Sequence, residues 1–305
     1  REWQGGGRRL GLRAPSRMTP LMGRNFTLAA LITIPFRIAL AVGLIVILVL
    51  TLAPRAGRAT LSTPSHEREQ VSPSEITRLL DTGQAVFGVF SGEKTAEQGA
   101  RIVKNRETDF VFYSLENGPF DIPAMEVYMR AMAEAAGEQA HPIVLRIPPI
   151  RDGQELARER VRQGLDAGVD GIVFPHVETA DDARLAVSSM GADLWPANPD
   201  GGLLNILLLE DQVGSGNARE IVGTPGVGVV IPGPGDLRRA YEGDAEAIEG
   251  AIQTVLSACK EFDVPCGITA GADDIADRLD QGFRLIIVNG DDALAVGRAA
   301  AGRRD

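Results

Sequence analysis

Residues 203–237 read LLNILLLEDQVGSGNAREIVGTPGVGVVIPGPGDL, and this stretch decides how the whole chain is interpreted. It predicts a buried strand ending at Glu210, a short helical return, and a second buried strand followed by Asp236. Parallel strands of α/β proteins bring their C-terminal ends to one edge, where ligands bind. Two carboxylates at that edge can converge on one divalent cation. The alternative is that Glu210 caps the following helix and Asp236 lies in a solvated turn.

Outward from this stretch, short apolar segments alternate with amphipathic helical segments, which predicts one domain over residues 73–302. The eight predicted strands are residues 85–90, 109–115, 142–147, 171–177, 205–210, 227–232, 265–270 and 284–289. Eight β/α units in roughly 220 residues are typical of a (β/α)8 TIM barrel. Nearly continuous apolar strands indicate a sheet that is buried on both faces. A doubly wound open sheet is the competing α/β architecture, but FSGEKTAEQG after the first strand is not a glycine-rich phosphate loop.

Three segments precede the predicted barrel. Residues 1–25 are basic and aperiodic and are expected to be disordered, residues 26–53 are apolar except for Arg37, and residues 54–72 form a polar linker. The apolar segment exceeds a bilayer span and follows basic residues, which predicts a transmembrane anchor or a signal. We therefore expect a membrane-anchored protein, or export to the periplasmic side in a bacterium. The alternative is a cytoplasmic protein, if this N-terminal segment is not translated.

Charge and cysteine content restrict the function classes. The first 64 residues hold nine arginines and one acidic residue, which leaves 22 basic and 40 acidic residues, a net charge of −18, for the remainder. So acidic a domain argues against nucleic-acid binding, because phosphate backbones require a basic face. Cys259 and Cys266 are the only cysteines, and no CxxC motif is present. We interpret them as buried thiols rather than a zinc site; a single disulfide in an exported protein is the alternative.

Arg146 is the most informative residue outside the opening stretch, because it stands inside the apolar strand PIVLRIPP. Burying a guanidinium without an anion is costly, so Arg146 indicates either a bound carboxylate or oxo group or a structural ion pair with Glu116 or Glu210. The GPG sequence before Asp236 brings bare backbone close to a ligand, so the amide of Gly235 can hold an anion. A cation on two carboxylates beside an arginine suits a small 2-oxo acid that binds through its carboxylate and keto oxygens.

Six motifs in order resemble the HpcH/HpaI aldolase family, class II pyruvate aldolases of the citrate lyase β/HpcH superfamily. They span residues 75–300, and they are DFVFYSLENGP, LRIP, LDAGVDGIVFPHVETADDA, LLLED, VVIPGPGDL and GFRLIIVNGDDALA. The resemblance implies a (β/α)8 barrel, a lyase activity, and a homo-oligomer. It implies that Glu210 and Asp236 bind Mg²⁺, Mn²⁺ or Co²⁺, and that Arg146 polarises the keto oxygen of pyruvate. It also implies that Asp166 orients the catalytic histidine of the family, often across a subunit interface.

Three positions depart from the family pattern. Asn117 stands where the family has its catalytic histidine, Ser114 replaces an aspartate, and Leu208 replaces a glutamine. An amide cannot accept a proton near neutral pH, so Asn117 cannot serve as the general base. His176 ends the fourth predicted strand and is the only histidine expected at the same mouth of the barrel. It is therefore the candidate substitute, with a helix-capping or packing role as the alternative.

The sequence thus predicts a divalent-metal-dependent carbon–carbon lyase acting on a 4-hydroxy-2-oxo acid through a pyruvate enolate, with an aldehyde as the second product. The changes at Ser114, Asn117 and Leu208 motivate an alternative, in which the barrel binds a metal and an oxo acid without turnover. A related reaction on the same enolate, such as decarboxylation or CoA-ester lysis, is a further possibility.

Overall fold

A computed structural model describes residues 74–136 and 139–303 of the chain. Nine strands alternate with helices along this part of the sequence. The strands are β1 (Val86–Phe90), β2 (Phe110–Ser114), β3 (Ile143–Arg146), β4 (Gly171–Phe174), β5 (Leu194–Trp195), β6 (Leu203–Leu209), β7 (Val229–Pro232), β8 (Gly267–Ala270) and β9 (Leu285–Val288). The helices are α1 (Glu75–Asp81), α2 (Ala96–Ile102), α3 (Ile122–Ala136), α4 (Gln154–Asp166), α5 (Ala180–Ser189), α6 (Gln212–Gly216), α7 (Ala218–Val222), α8 (Pro234–Ala240), α9 (Ala245–Glu261), α10 (Ile275–Gln281) and α11 (Asp291–Ala300).

Every strand pairing in the sheet is parallel. β1 pairs with β2 and β9, and the ladders continue from β2 through β3, β4 and β6 to β7, and from β9 to β8. A single parallel bridge, Val230 to Cys266, joins β7 to β8. The predicted α/β fold with eight parallel strands is thus confirmed, and its sheet curls in the manner of a TIM barrel. The two-residue strand β5, which pairs only with the start of β6, was not predicted.

Alternate residues of each strand enter two different hydrophobic layers. On β2, Phe110 and Phe112 belong to an inner cluster enclosed by the curled sheet, whereas Val111 and Tyr113 pack against the surrounding helices. This division follows from the two-residue period of a strand, and it explains why the strands are apolar on both faces. Helix α1 leads into β1 and packs its apolar side chains against the inner cluster at the N-terminal end of the strands. The opposite, C-terminal end is left for polar side chains.

The structure bears on the predictions for the cysteines and for a membrane span. Cys259 and Cys266 are buried free thiols, so that interpretation is confirmed. No helix in the described part of the chain combines the length and apolarity needed to cross a membrane. The segments predicted for residues 1–25, 26–53 and 54–72 lie outside the described residues.

Candidate metal and substrate site

The inward-facing alternation of the strands carries three polar side chains to the C-terminal edge of the sheet. Ser114 continues the inner positions of β2, Arg146 those of β3, and Glu210 extends the inner row of β6 by one step. Ser114 and Arg146 are register partners on adjacent strands. Because side chains two residues apart on a strand share a face, these polar groups lie at the C-terminal end of the inner hydrophobic layer.

Arg146 is held by neighbours on strand β2 and in the loop after it. Its Nε donates to Ser114 Oγ at 3.0 Å, its Nη2 lies 3.0 Å from Glu116 Oε2, and its guanidinium lies over the Phe112 ring at 5.3 Å from the centroid. The ion pair with Glu116, one of the two alternatives for this arginine, is therefore present. Arg146 also lines the cavity described below, so the ion pair orients the guanidinium without removing it from the site.

Glu210 is a buried carboxylate, with 4% of its surface exposed. It does not cap the next helix, because Asp211 does so: its Oδ1 accepts the amide of Gly214 at 2.7 Å. Glu210 Oε2 accepts the main-chain N–H of His176 at 3.0 Å. Burial, and then repulsion from Asp236, raises the pKa of Glu210 to about 7, although the His176 N–H partly opposes this rise. A buried carboxylate with a raised pKa and a second carboxylate nearby is suited to hold a cation.

His176 connects two carboxylates from different strands. Its Nδ1 lies 3.5 Å from Glu210 Oε2, and its Nε2 lies 3.6 Å from Glu116 Oε1. One donor atom from each of these three residues lies within 4.8 Å of the others. Two carboxylates and an imidazole are ligands that divalent metal ions accept, so the residues present fit a metal site. The sequence predicted His176 at this mouth but did not indicate its contact with Glu116.

Asp236 lies in the first turn of α8, where its carboxylate forms an ion pair with Arg239. It is near enough to Glu210 to raise the pKa of that carboxyl group, and the two residues line one cavity. Its side chain is not among the three donors grouped around His176. The structure thus brings the predicted ligand pair of Glu210 and Asp236 to one cavity, and their joint coordination of a cation stays a prediction.

The cavity at this edge has a volume of about 400 Å³. Its polar lining includes Arg146, Glu210, Asp236 and the backbone of Gly235. Its apolar lining includes Phe90, Phe112, Leu208, Ile231 and Ile287. Among the described residues that line this cavity there is no histidine, and Glu116 and His176 contact Arg146 and Glu210 without lining it. The sequence did not identify Phe90, whose aromatic side chain at the end of β1 has no local signal distinguishing it from a core residue.

Two further positions singled out in the sequence, Asp166 and Asn117, do not line the cavity. Asp166 ends helix α4, which runs back from the C-terminal end of β3, and its carboxylate pairs with Arg162 at 2.8 Å on the surface. Within one chain it does not line the cavity, and its predicted role of orienting a catalytic group across a subunit interface stays a prediction. Asn117 donates its amide to Glu116 Oε2 at 3.2 Å, so it supports Glu116 and presents no base.

Gly233 provides a direct test of how closely the backbone approaches Glu210. A Cβ at this position would lie 2.7 Å from Cγ and 2.9 Å from Oε1 of Glu210. We expect Gly233→Ala to displace the carboxylate and lower divalent-metal affinity about tenfold, a loss of about 1.4 kcal/mol in binding free energy. At Gly235 a Cβ would meet no atom within 4 Å, so Gly235→Ala should leave metal affinity within about twofold. Isothermal titration with Mn²⁺ measures both, and equal affinities would contradict the packing argument.

Comparison with known sequences identifies enzymes that this chain resembles. The HpcH/HpaI aldolase/citrate lyase family model matches residues 87–296. A hydroxypyruvate/pyruvate aldolase of Delftia acidovorans is 29% identical over 255 residues, covering 74% of this chain and 89% of the relative. A 5-keto-4-deoxy-D-glucarate aldolase of Klebsiella pneumoniae is 28% identical over 217 residues, covering 63% of this chain and 80% of the relative.

Solved structures show the same fold at lower identity. An HpcH/HpaI aldolase/citrate lyase family protein of Burkholderia cenocepacia aligns with a TM-score of 0.61 and 23% identity, covering 75% of this chain and 97% of that one. The citrate lyase β subunit of M. tuberculosis, complexed with oxaloacetate and magnesium, aligns with a TM-score of 0.52 and 18% identity, covering 73% and 98%. Because the family model spans more than half of the sequence, this chain belongs to the HpcH/HpaI aldolase/citrate lyase family of metal-dependent class II aldolases and lyases.

Proposed function

We propose that this protein is a metal-dependent lyase that cleaves or forms the C3–C4 bond of a 4-hydroxy-2-oxo acid, with pyruvate and an aldehyde as the other partners. It would do so on a complete (β/α)8 barrel closed at the β7–β8 junction. The observation that carries the proposal is the placement of Arg146 and Glu210 on one cavity of about 400 Å³. A guanidinium and a buried carboxylate at that edge match the needs of an oxo acid and a cation. The names of the relatives, which include aldolases for pyruvate and sugar-derived oxo acids, support this substrate class.

The residues that line the cavity would act on distinct parts of the substrate. Arg146 donates an N–H to the keto oxygen, with its orientation held by Ser114 and Glu116. The Gly235 amide faces the carboxylate of the oxo acid. A divalent cation held by Glu210 would supply Lewis-acid stabilisation of the charge that develops on the keto oxygen. In the cleavage direction the C4 hydroxyl gives up its proton, its O–H electron pair forms the aldehyde carbonyl, the C3–C4 pair passes to the enolate, and the proton is returned to C3 to give pyruvate.

A second candidate function is binding of a metal and an oxo acid without turnover. It is favoured by one specific observation: Asn117 supplies an amide to Glu116, and no histidine among the described residues lines the cavity. Aldol chemistry requires a group that accepts and returns a proton, and general acid–base groups contribute about 10²–10⁴-fold to rates.

Three further features stay proposals. They are membrane anchoring or export through residues 26–53, assembly into a homo-oligomer, and a role of Asp166 across the interface of that oligomer.

Exchange of the methyl protons of pyruvate separates the two functions. The purified full-length protein is incubated with Mn²⁺ or Mg²⁺ and pyruvate in D₂O, and the methyl signal is followed by proton NMR after removal of Mn²⁺. For an enzyme we expect metal-dependent deuteration that stops when a chelator is added. A parallel assay follows release of pyruvate from 4-hydroxy-2-oxo acids with a coupled dehydrogenase. Saturable pyruvate binding with neither exchange nor cleavage would overturn the lyase proposal in favour of a binding protein.

A further inference from the structure

We propose that Arg238, Thr269 and Asn289 form a second polar subsite in the cavity of Arg146, and that this subsite binds a carboxylate at the far end of the substrate. The substrate is then a 4-hydroxy-2-oxo diacid, and the aldehyde product carries the second carboxylate. This inference rests on the proposed function, because it takes the oxo-acid end to lie at Arg146. It goes beyond that function because it assigns the aldehyde half of the substrate and the residues that select it.

Thr269 and Asn289 reach the cavity through the inward phase of their strands. On β9, Leu285 and Ile287 belong to the inner cluster, and Asn289 lies two residues further along. The ladder continues there, because the Asn289 N–H donates to the carbonyl of Ala270 at 2.8 Å. On β8, Thr269 is the register partner of Ile287. Side chains two residues apart share a face of the sheet, and register partners lie side by side on it, so both polar side chains end the inner layer and line the cavity.

The subsite lies across the sheet from Arg146. Strand β8 is four strands from β3 by either route, β3–β2–β1–β9–β8 or β3–β4–β6–β7–β8, and the bridge from Val230 to Cys266 provides the last step of the second route. Arg238 lies on α8, which follows β7 in the chain, so its helix is attached to the strand next to that of Thr269. All three residues line one cavity with Arg146, and the apolar part of the lining suits a short carbon chain between two polar ends.

The polar side chains of the subsite are available to a ligand. In the part of the chain that the structure describes, none of the three forms a side-chain hydrogen bond or an ion pair. Two arginines line the cavity, and Arg146 is paired with Glu116 at 3.0 Å, whereas Arg238 has no carboxylate partner among the described residues. The neighbouring Arg239 differs, because it pairs with Asp236. An unpaired guanidinium beside two further unpaired polar groups distinguishes this subsite from a single solvated arginine.

The donor set of the subsite favours a carboxylate. A guanidinium offers N–H groups in a fork that matches the two oxygens of a carboxylate, and a threonine hydroxyl and an asparagine amide can each donate a further hydrogen bond. A methyl or hydroxyl end group gains less from an arginine, because hydrogen bonds between charged partners are the stronger ones. The subsite therefore selects a diacid over a monoacid of equal length.

Binding of oxo acids that cannot be cleaved tests the subsite without use of the reaction. The ligands are 2-oxoglutarate and 2-oxoadipate, with 2-oxopentanoate and 2-oxohexanoate as the monoacids of equal chain length. All four lack the C4 hydroxyl that cleavage requires. Isothermal titration is carried out on the full-length protein with saturating Mg²⁺. We expect the better-fitting diacid to bind about 10–100-fold more tightly than the monoacid of the same length.

Variants then assign the preference to the subsite. Arg238→Ala should bring the diacid and monoacid affinities within about threefold of each other by weakening only the diacid, and Arg238→Lys should keep part of the preference, because it keeps the charge without the fork. Thr269→Val and Asn289→Leu should each lower diacid affinity about threefold to tenfold through loss of one hydrogen bond. Arg130→Ala is the matched control, because Arg130 is an exposed residue of α3 that does not line the cavity, and it should leave every affinity unchanged.

Equal binding of diacid and monoacid to the wild-type protein at both chain lengths would refute the subsite. A preference that survives Arg238→Ala would also refute it. So would an Arg238→Ala variant that loses monoacid and diacid affinity alike, since the guanidinium would then bind the oxo-acid end. Because the ligands are not cleaved, the subsite can hold in a protein that shows no pyruvate exchange, and it can fail in one that does. The two failures are therefore distinguishable.

Discussion

Glu210→Gln is expected to abolish metal-dependent turnover and, at the same time, to stabilise the metal-free protein at alkaline pH. Glutamine is nearly isosteric and can still accept the His176 N–H, but it is a poor ligand for a cation. Loss of the electrostatic stabilisation of the transition state should lower pyruvate exchange or cleavage on the order of 10³-fold or more. A divalent metal ion should then raise the melting temperature of the wild-type protein but not that of the variant.

The stability effect follows from the pKa of Glu210, which lies at about 7 in the folded protein against an ordinary value of 4.5. A carboxyl group whose pKa is raised by folding contributes stability below its unfolded pKa, and that contribution is lost as the pH rises through 4.5 to 7. The shift corresponds to about 3 kcal/mol. The free energy of unfolding of metal-free Glu210→Gln should therefore match that of the wild type near pH 5 and exceed it at pH 8.

Glu155→Gln is the control for Glu210→Gln, because Glu155 is an exposed residue of α4. It should alter neither metal binding nor the pH dependence of stability. Urea unfolding at pH 5 and pH 8, in chelator and in Mn²⁺, gives all the required values. If Glu210→Gln were no more stable than the wild type at pH 8 in chelator, the ionised form of Glu210 would not be destabilised by folding.

Arg146→Lys is expected to lower the rate of pyruvate exchange or cleavage about 10²–10³-fold while the protein stays folded. The guanidinium contacts Ser114 Oγ through Nε and Glu116 through Nη2, both at 3.0 Å, which leaves further N–H groups to face the cavity. A lysine ammonium is a point charge and cannot reproduce that fork. Because the lost contact is one that strengthens as charge develops on the keto oxygen, the change should appear mainly in kcat.

Arg219→Lys is the matched control for Arg146→Lys. Arg219 also binds a carboxylate in bidentate fashion, that of Glu261, but on the exposed surface. Its replacement should leave kcat and KM unchanged, since exposed ion pairs contribute only about 0–1 kcal/mol to stability. Steady-state kinetics of both variants, with circular dichroism to verify folding, measures the difference. If Arg146→Lys retained a rate within threefold of the wild type, Arg146 would be only a structural partner of Glu116.

The polar residues of the site could be predicted from strand periodicity and motif order to a useful extent. Arg146 and Glu210 stand in phase with the inner residues of their strands, so both were expected at one edge of the sheet, and the structure places them on one cavity. The loss of the family histidine at Asn117 is also visible in the sequence alone. Asp166 lies away from this cavity in a single chain, so its predicted role across a subunit interface stays a prediction.

By itself the sequence determined the β/α alternation, the inward phase of each strand and the residue types at the strand ends, because these depend on neighbours in the chain. Only the tertiary structure decided that His176 lies between Glu116 and Glu210 and that Arg146 pairs with Glu116. Those contacts join loops from different strands. They depend on sheet order, register and the left-handed backbone at His176, none of which is encoded in a local pattern.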